Sequence, residues 1–142
     1  MPSPPRIRKE LPKLCRKFKI DILYVFGSQA IEVRSAIEEG RNISQVSTSD
    51  VDIAIKMFHG RKLSIRDKVE LAMALEDALG VGKVDLVLLS EADPFLAVNI
   101  IRGERLYCVD EHRADEYDLY ILRRAGDIAH FERRRIEGVL NR

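Results

Sequence analysis

Residues 22–28 read ILYVFGS, and residues 49–55 read SDVDIAI. Each segment contains a short apolar run typical of a buried strand; the first run ends in Gly-Ser and the second follows a pair of aspartates. Residues 84–89 read VDLVLL and carry a third aspartate, Asp85, near their start. The three segments therefore predict three strands whose ends carry glycine, serine and carboxylates.

Helical segments alternate with these strands. An apolar stripe from Ile7 to Phe18 predicts the first helix, which begins at Leu11–Pro12 or has an irregular first turn because of Pro12. The pattern also predicts helices over residues 30–36 (ending near Gly40), 65–79, 94–101 and from about 112, and a fourth strand over 106–109. This alternation predicts an α/β (α+β) fold, a mixed sheet of about four strands covered by helices. Strand order and direction stay open.

Composition limits the class of protein. The chain has 142 residues, 46 % of them hydrophobic, and a net charge of +1. These values indicate one domain and give no general attraction to nucleic acid. No apolar run approaches the roughly 18 residues of a membrane span. The N-terminus lacks a secretory signal, and Cys15 and Cys108 have neither disulfide-scaffold nor zinc spacing, so we expect a cytoplasmic protein.

The aspartates are the residues most suggestive of chemistry. Asp50 and Asp52 stand two positions apart, so on a strand their side chains leave the same face. Two carboxylates this close repel unless a cation lies between them, and hard oxygen ligands suit Mg²⁺. Asp85 joins them if its strand is a neighbour. The alternatives are a polar entry to a strand for the pair and a solvent-facing carboxylate for Asp85.

Gly27 and Ser28 form the second candidate element. Glycine permits a sharp exit from a strand and a close approach of the backbone. Ser28 then offers a hydroxyl and free backbone N–H groups at the start of a helix, which is a geometry that binds phosphate. Strand ends carry Gly-Ser in many unrelated turns, so the pair alone is weak evidence.

Together these motifs resemble the nucleotidyltransferase superfamily. The matching residues are Phe26-Gly27-Ser28, Ser49 to Ile53 and Val84 to Val87. The short chain and the segment 100–107 (IIRGERLY) are similar to the minimal, MNT-type members, which are encoded beside HEPN-domain proteins as toxin–antitoxin pairs. The resemblance covers roughly residues 11–110. It implies a nucleotidyltransferase domain over 1–110, with 111–142 as a helical extension of the same domain.

The resemblance also implies the chemistry. Asp50, Asp52 and Asp85 would bind two Mg²⁺ ions, and Gly27 and Ser28 would hold the phosphates of ATP. AMP would pass to a hydroxyl, that of a tyrosine on a HEPN-type toxin, and the chain would act as the antitoxin in a hetero-oligomer. Neither a membrane nor direct nucleic-acid binding is expected.

Two departures from the family pattern bear on activity. The 21 residues 29–49 between Ser28 and Asp50 exceed the usual gap, which indicates an insertion around 32–44 accommodated by a loop. Gln29 and Ala30 stand where the family often has an arginine, so Arg34 or Arg41 supplies it or nucleotide binding is weakened. The alternative function is a non-catalytic binding antitoxin with a vestigial site. A small-molecule nucleotidyltransferase fits less well, because such enzymes usually carry a second helical domain.

Overall fold

The computed structural model describes residues 4–40 and 50–126. In chain order the elements are α1 (Pro4–Lys17), β1 (Ile20–Phe26), α2 (Ala30–Glu39), β2 (Val51–Met57), α3 (Ile65–Leu79), β3 (Val84–Leu88), a 3₁₀ turn (Leu89–Glu91), α4 (Pro94–Ile101), β4 (Glu104–Cys108) and α5 (Glu111–Gly126). This arrangement confirms the predicted α/β fold. Within the described ranges, no helix has both the length and the apolar character needed to cross a membrane.

The four strands form one mixed sheet in the order β3-β2-β1-β4. β1 is antiparallel to both β2 and β4, whereas β2 and β3 are parallel. All seven residues of β1 are buried, as expected for a strand flanked on both sides. Because of these directions, the end of β1 and the beginnings of β2 and β3 meet at one edge of the sheet.

Helices cover both faces of the sheet. Leu23 and Val25 of β1 pack with α1, α2 and α3 on one face. Tyr24 and Phe26 pack with α4 and α5 on the other face. Side chains alternate between the faces of a strand, so a strand buried on both faces is apolar throughout instead of alternating with polar residues.

Local signals place two helices where the sequence predicts them. The side chain of Ser64 accepts a hydrogen bond from the Asp67 N–H (3.0 Å), and Gly80 ends α3 in the left-handed conformation (φ 73°). At α4, the Asp93 carboxylate accepts from the Leu96 N–H (2.9 Å), and Pro94 occupies the first turn. The Ser64 and Asp93 side chains accept from N–H groups that a helix terminus would otherwise leave unpaired, and Pro94 has no N–H to pair.

The first helix and the loop insertion differ from the sequence predictions, whereas α2 ends near Gly40 as predicted. α1 begins at Pro4 and continues through Pro12, so a start at Leu11–Pro12 is wrong. The buried stripe that includes Ile7, Leu11 and Cys15 compensates for the hydrogen bond that an internal proline removes. α2 extends to Glu39, so the first part of the predicted loop insertion is helical. The remainder of that insertion, residues 41–44, lies within the range 41–49 that is outside the described residues.

Charged side chains attach α5 to the sheet. Asp21 of β1 is only 5 % exposed, and its carboxylate binds Lys56 Nζ (3.1 Å) and an Arg113 guanidinium nitrogen (2.6 Å). A buried carboxylate is tolerated when it is paired in this way. Further along α5, the Tyr24 hydroxyl donates to Asp118, which also receives a hydrogen bond from Arg105. The rest of the predicted C-terminal extension, residues 127–142, lies outside the described part.

Candidate active site

The candidate site lies at the edge where β1 ends and where β2 and β3 begin. Phe26, the last residue of β1, pairs with Asp52 of β2. Asp52 in turn pairs with Asp85 of β3. The register therefore places Phe26, Asp52 and Asp85 in one row across three strands, although Phe26 and Asp85 are 59 residues apart in sequence. Gly27 follows directly after this row.

Asp52 and Asp85 share one face of the sheet, and Asp50 interacts with Asp52 from the residue before β2. Val51 and Ile53 belong to the core under α1, α2 and α3, so Asp52 between them faces the opposite side. Val84 and Leu86 contact that same core, which directs Asp85 to the side of Asp52. Burial, then Asp85, then Asp50 raise the pKa of the Asp52 carboxyl. This shift indicates that the carboxylates are close enough to repel one another.

Gly27 is required by the geometry of this edge for two reasons. Its φ of +82° lies in the left-handed region that other residues rarely adopt. A Cβ at this position would also lie 2.6 Å from an Asp52 carboxylate oxygen, so the Asp52 side chain would have to rotate away. The turn thus brings the main chain of Gly27 close to the Asp52 carboxylate, with no side chain between them.

Ser28 follows in the turn that leads into α2. It is exposed, and the Gly27 carbonyl accepts a hydrogen bond from the Ala30 N–H (3.2 Å). Gln29 at the N-cap position of α2 makes no side-chain capping bond. The Ser28 hydroxyl accepts a long hydrogen bond from Gln29 Nε2 (3.5 Å). Ser28 thus precedes a helix N-terminus without a capping side chain, an arrangement suited to phosphate oxygens.

Lys83 is a functional candidate that the sequence interpretation missed. Its Nζ lies 3.8 Å from an Asp50 oxygen and 3.7 Å from an Asp85 oxygen. The signal was present in the sequence VGKVD, where a lysine stands two positions before a strand-entry aspartate. Only the strand pairing shows that it also reaches Asp50.

The residues at this edge include the type of ligand that a hard divalent cation prefers. Three carboxylates supply the oxygen ligands that Mg²⁺ prefers, and the Lys83 ammonium already stands as a cation between two of them. Within residues 4–40 and 50–126, no three acidic, histidine or cysteine side chains converge closely enough to form a ready-made metal site. Binding therefore requires rotation of these exposed carboxylates away from Lys83.

Arg34, one of the two arginines proposed to replace the family's arginine, pairs with carboxylates other than the three aspartates. Arg34 is bound to Glu38 (3.1 Å) on its own helix and to Glu104 (2.7 Å) on β4. These two carboxylates accept hydrogen bonds from two of the guanidinium nitrogens. Arg41 and the motif residue Ser49 lie outside the described residues.

A family model described as "Polymerase beta, Nucleotidyltransferase" matches residues 9–112, nearly three quarters of the chain. The chain belongs to this nucleotidyltransferase family. The membership confirms the resemblance drawn from the Gly-Ser turn and the aspartates. It also agrees with the sheet, because the matched residues include all four strands. No curated protein sequence matches the chain.

Solved structures of toxin–antitoxin complexes share this nucleotidyltransferase fold. A chain of a toxin–antitoxin complex with AMP-PNP is 23 % identical, with a TM-score of 0.63 over 93 % of this chain and 97 % of that one. A chain from a complex of tri-AMPylated Shewanella oneidensis HEPN toxin with MNT antitoxin is 20 % identical, with a TM-score of 0.61 over 97 % and 99 %. A chain of the MntA–HepT complex is 21 % identical, with a TM-score of 0.60 over 94 % of this chain and 97 % of that one. At sequence identities this low, the structural similarity shows a shared fold.

The charge of Asp52 is expected to reduce the stability of the metal-free protein. Since burial and two neighbouring carboxylates raise its pKa, ionisation of Asp52 disfavours the folded state at neutral pH. We expect Asp52→Asn to raise the melting temperature in EDTA by about 2–4 °C, the change that about 1 kcal/mol produces in a chain of this size. Differential scanning fluorimetry measures this shift.

Asp67→Asn is the control for that measurement. Asp67 stands in the first turn of α3, where its charge complements the helix dipole. Its replacement should lower the melting temperature slightly. A fall of similar size for Asp52→Asn would contradict the repulsion inferred here.

Proposed function

We propose that this protein is a Mg²⁺-dependent nucleotidyltransferase that transfers AMP from ATP to a tyrosine hydroxyl of a HEPN-type toxin and so acts as its antitoxin. The observation that carries the proposal is that Asp52 pairs with Asp85 across two strands while the Gly27 turn at the end of the third strand lies against Asp52. Family membership supports the reaction class. The fold shared with chains of HEPN–MNT and MntA–HepT complexes supports the choice of partner.

The donor nucleotide occupies the side of the site formed by β1 and α2. Ser28 and the N–H groups at the start of α2 bind the terminal phosphates, because they present several donors next to the positive end of a helix dipole. Asp50 and Asp52 would hold the metal ions, and Asp85 would share one of them on the acceptor side. When bound, Mg²⁺ supplies electrostatic stabilisation of the attacking and leaving oxygens.

Asp85 acts on the acceptor side. It lies one strand further from the Gly-Ser turn than Asp52, and its side chain is about half exposed, so an incoming hydroxyl can reach it. The carboxylate accepts the hydroxyl proton as the oxygen attacks the α-phosphorus. A new P–O bond forms to the acceptor, and the bond between the α-phosphorus and the bridging oxygen breaks. Pyrophosphate leaves with that electron pair.

A second candidate function is a binding antitoxin with an inactive site. It is favoured by Gln29 in place of the family's arginine and by the Lys83 ammonium between Asp50 and Asp85. In that case the chain would neutralise its partner by contact alone. The retention of three carboxylates at one edge of the sheet argues against it, since repelling charges contribute nothing to packing.

The cytoplasm is the compartment we propose. The reaction consumes ATP, which that compartment supplies. Cys15 and Cys108 are both free thiols in the fold, and Cys15 is buried, with burial raising its pKa to about 12. Such thiols are ordinary in a reducing environment.

The deciding experiment is transfer of label from ATP labelled at the α-phosphate. The purified chain is incubated with Mg²⁺ and the HEPN-domain protein encoded beside it, and labelled protein is separated and mapped by mass spectrometry. We expect an added AMP on a tyrosine of the partner. The Asp50→Asn, Asp52→Asn double variant should give no label, because it removes the donor-side carboxylates.

Three outcomes separate the candidates. Label on the partner that depends on Asp50 and Asp52 supports adenylyl transfer. Binding of the partner and rescue of growth without label would favour the binding antitoxin. A locus without a HEPN-domain neighbour would contradict the antitoxin role, and transfer to another acceptor would then be sought with the same labelled ATP.

A further inference from the structure

Lys83 enters the acidic site from a fixed point of the backbone. Its carbonyl oxygen accepts a hydrogen bond from the Val51 N–H (3.1 Å), which begins the pairing of β2 with β3. The Lys83 main chain is therefore anchored between Asp50 and Asp85. From there the side chain needs little reorganisation to place its ammonium between the two carboxylates.

The ammonium lies almost midway between its two partners. The separations of 3.8 Å from Asp50 and 3.7 Å from Asp85 are those of ion pairs without tight hydrogen bonds. The three side chains are about half exposed or more, so each attraction is moderate and the lysine can leave. The contact thus neutralises repelling carboxylates in a reversible way.

We propose that Lys83 is a built-in counter-cation that holds Asp50 and Asp85 in the metal-free protein and competes with the divalent metal for them. The proposal rests on the proposed function, because it assumes that these carboxylates bind metal. An ammonium and a divalent cation cannot occupy the same space between two carboxylates, and each repels the other. Lys83 therefore weakens the binding of free metal.

The competition has a consequence for substrate choice. Metal that displaces Lys83 leaves an unpaired ammonium beside the site. A triphosphate arriving with the metal gives that ammonium a new anionic partner, whereas free metal does not. Lys83 consequently favours the metal–nucleotide complex over the metal alone.

The test is direct binding of Mn²⁺ to the full chain, followed by the electron paramagnetic resonance signal of the free ion. We compare wild type with Lys83→Gln, which removes the charge, and Lys83→Arg, which retains it. Lys62→Gln is the matched control, since Lys62 is an exposed lysine before α3, in the segment that follows the opposite end of β2. We expect Lys83→Gln to bind Mn²⁺ about 3- to 10-fold more tightly, the effect of two exposed ion pairs. The other two variants should match wild type within about twofold.

Melting temperature gives a second readout that does not depend on catalysis. In EDTA, Lys83→Gln should melt below wild type because three carboxylates then repel without a counter-cation. In Mn²⁺ it should gain more stability than wild type does, since a ligand that binds only the folded state stabilises it in proportion to its affinity. Lys83→Arg should behave as wild type in both buffers.

The outcomes separate this inference from the proposed function. If wild type and Lys83→Gln both fail to bind Mn²⁺, or if the Asp50→Asn, Asp52→Asn double variant binds as wild type does, the proposed metal site is wrong. If wild type binds through those aspartates but Lys83→Gln binds equally or more weakly, only the role of Lys83 is overturned. Tighter binding confined to Lys83→Gln supports it.

Discussion

Asp85→Asn is expected to reduce AMP transfer by about 10²- to 10⁴-fold while leaving the fold and the binding of ATP in place. The size of this reduction follows from the loss of a group that accepts a proton in the transition state. Asparagine keeps the size of the side chain but neither accepts that proton readily nor binds a hard cation well. The donor side, formed by Ser28, Asp50 and Asp52, is unchanged.

The fold should survive this substitution because the Asp85 side chain lies largely at the surface. Its side chain is 46 % exposed, and its ion pair with Lys83 spans 3.7 Å at the surface. Such a pair contributes at most about 1 kcal/mol. Labelled transfer, equilibrium binding of ATP and pull-down of the partner measure the three properties separately.

Asp115→Asn is the control for Asp85→Asn. Asp115 is an exposed carboxylate on α5 that shares Arg105 with Asp118, and it lies on a helix that does not contribute to the site. The Asp115→Asn variant should retain full AMP transfer. Undiminished transfer by Asp85→Asn would remove Asp85 from the mechanism, whereas loss of ATP binding would place Asp85 on the donor side.

Gly103→Ala is expected to lower the melting temperature by about 10 °C or more. A Cβ at Gly103 would overlap the carbonyl oxygen of Val25 and lie 2.8 Å from the Cα of Phe26. Both contacts are with backbone of the central strand, which cannot rotate away as a side chain can. The overlap must separate β4 from β1, at a cost of about 3 kcal/mol, the upper part of the range for overpacking.

The same substitution should impair the site at a distance. Phe26 is the last residue of β1 and precedes the Gly27 turn, so a shift there moves the backbone that lies against Asp52. Gly82→Ala is the matched control: a Cβ there meets nothing within 4 Å, and Gly82 has no positive φ. It should be neutral or slightly stabilising. Equal melting temperatures for the two variants would show that β4 approaches β1 less closely than the structure indicates.

Short-range signals were sufficient for several elements and for part of the site. Ser64 and Gly80 delimit α3, and Pro94 marks the start of α4, because caps and prolines act on the turn of helix in which they stand. The strand periodicity predicted Asp50 and Asp52 on one face, since alternation is a property of any strand; in the structure β2 includes Asp52 and begins one residue after Asp50. The Gly-Ser turn was identified from the same local features, and the family followed from these motifs together.

Tertiary structure decided the remaining features because they depend on contacts between residues distant in sequence. Asp85 reaches Asp52 only because β3 pairs in parallel with β2, and no local pattern sets strand order. Lys83 gains its role from the same pairing. Pro12 stays within α1 because the helix buries an apolar stripe, a gain that its local sequence does not contain. The sequence by itself determined which residues could do chemistry and on which elements they stand, whereas the packing of the sheet decided which of them meet.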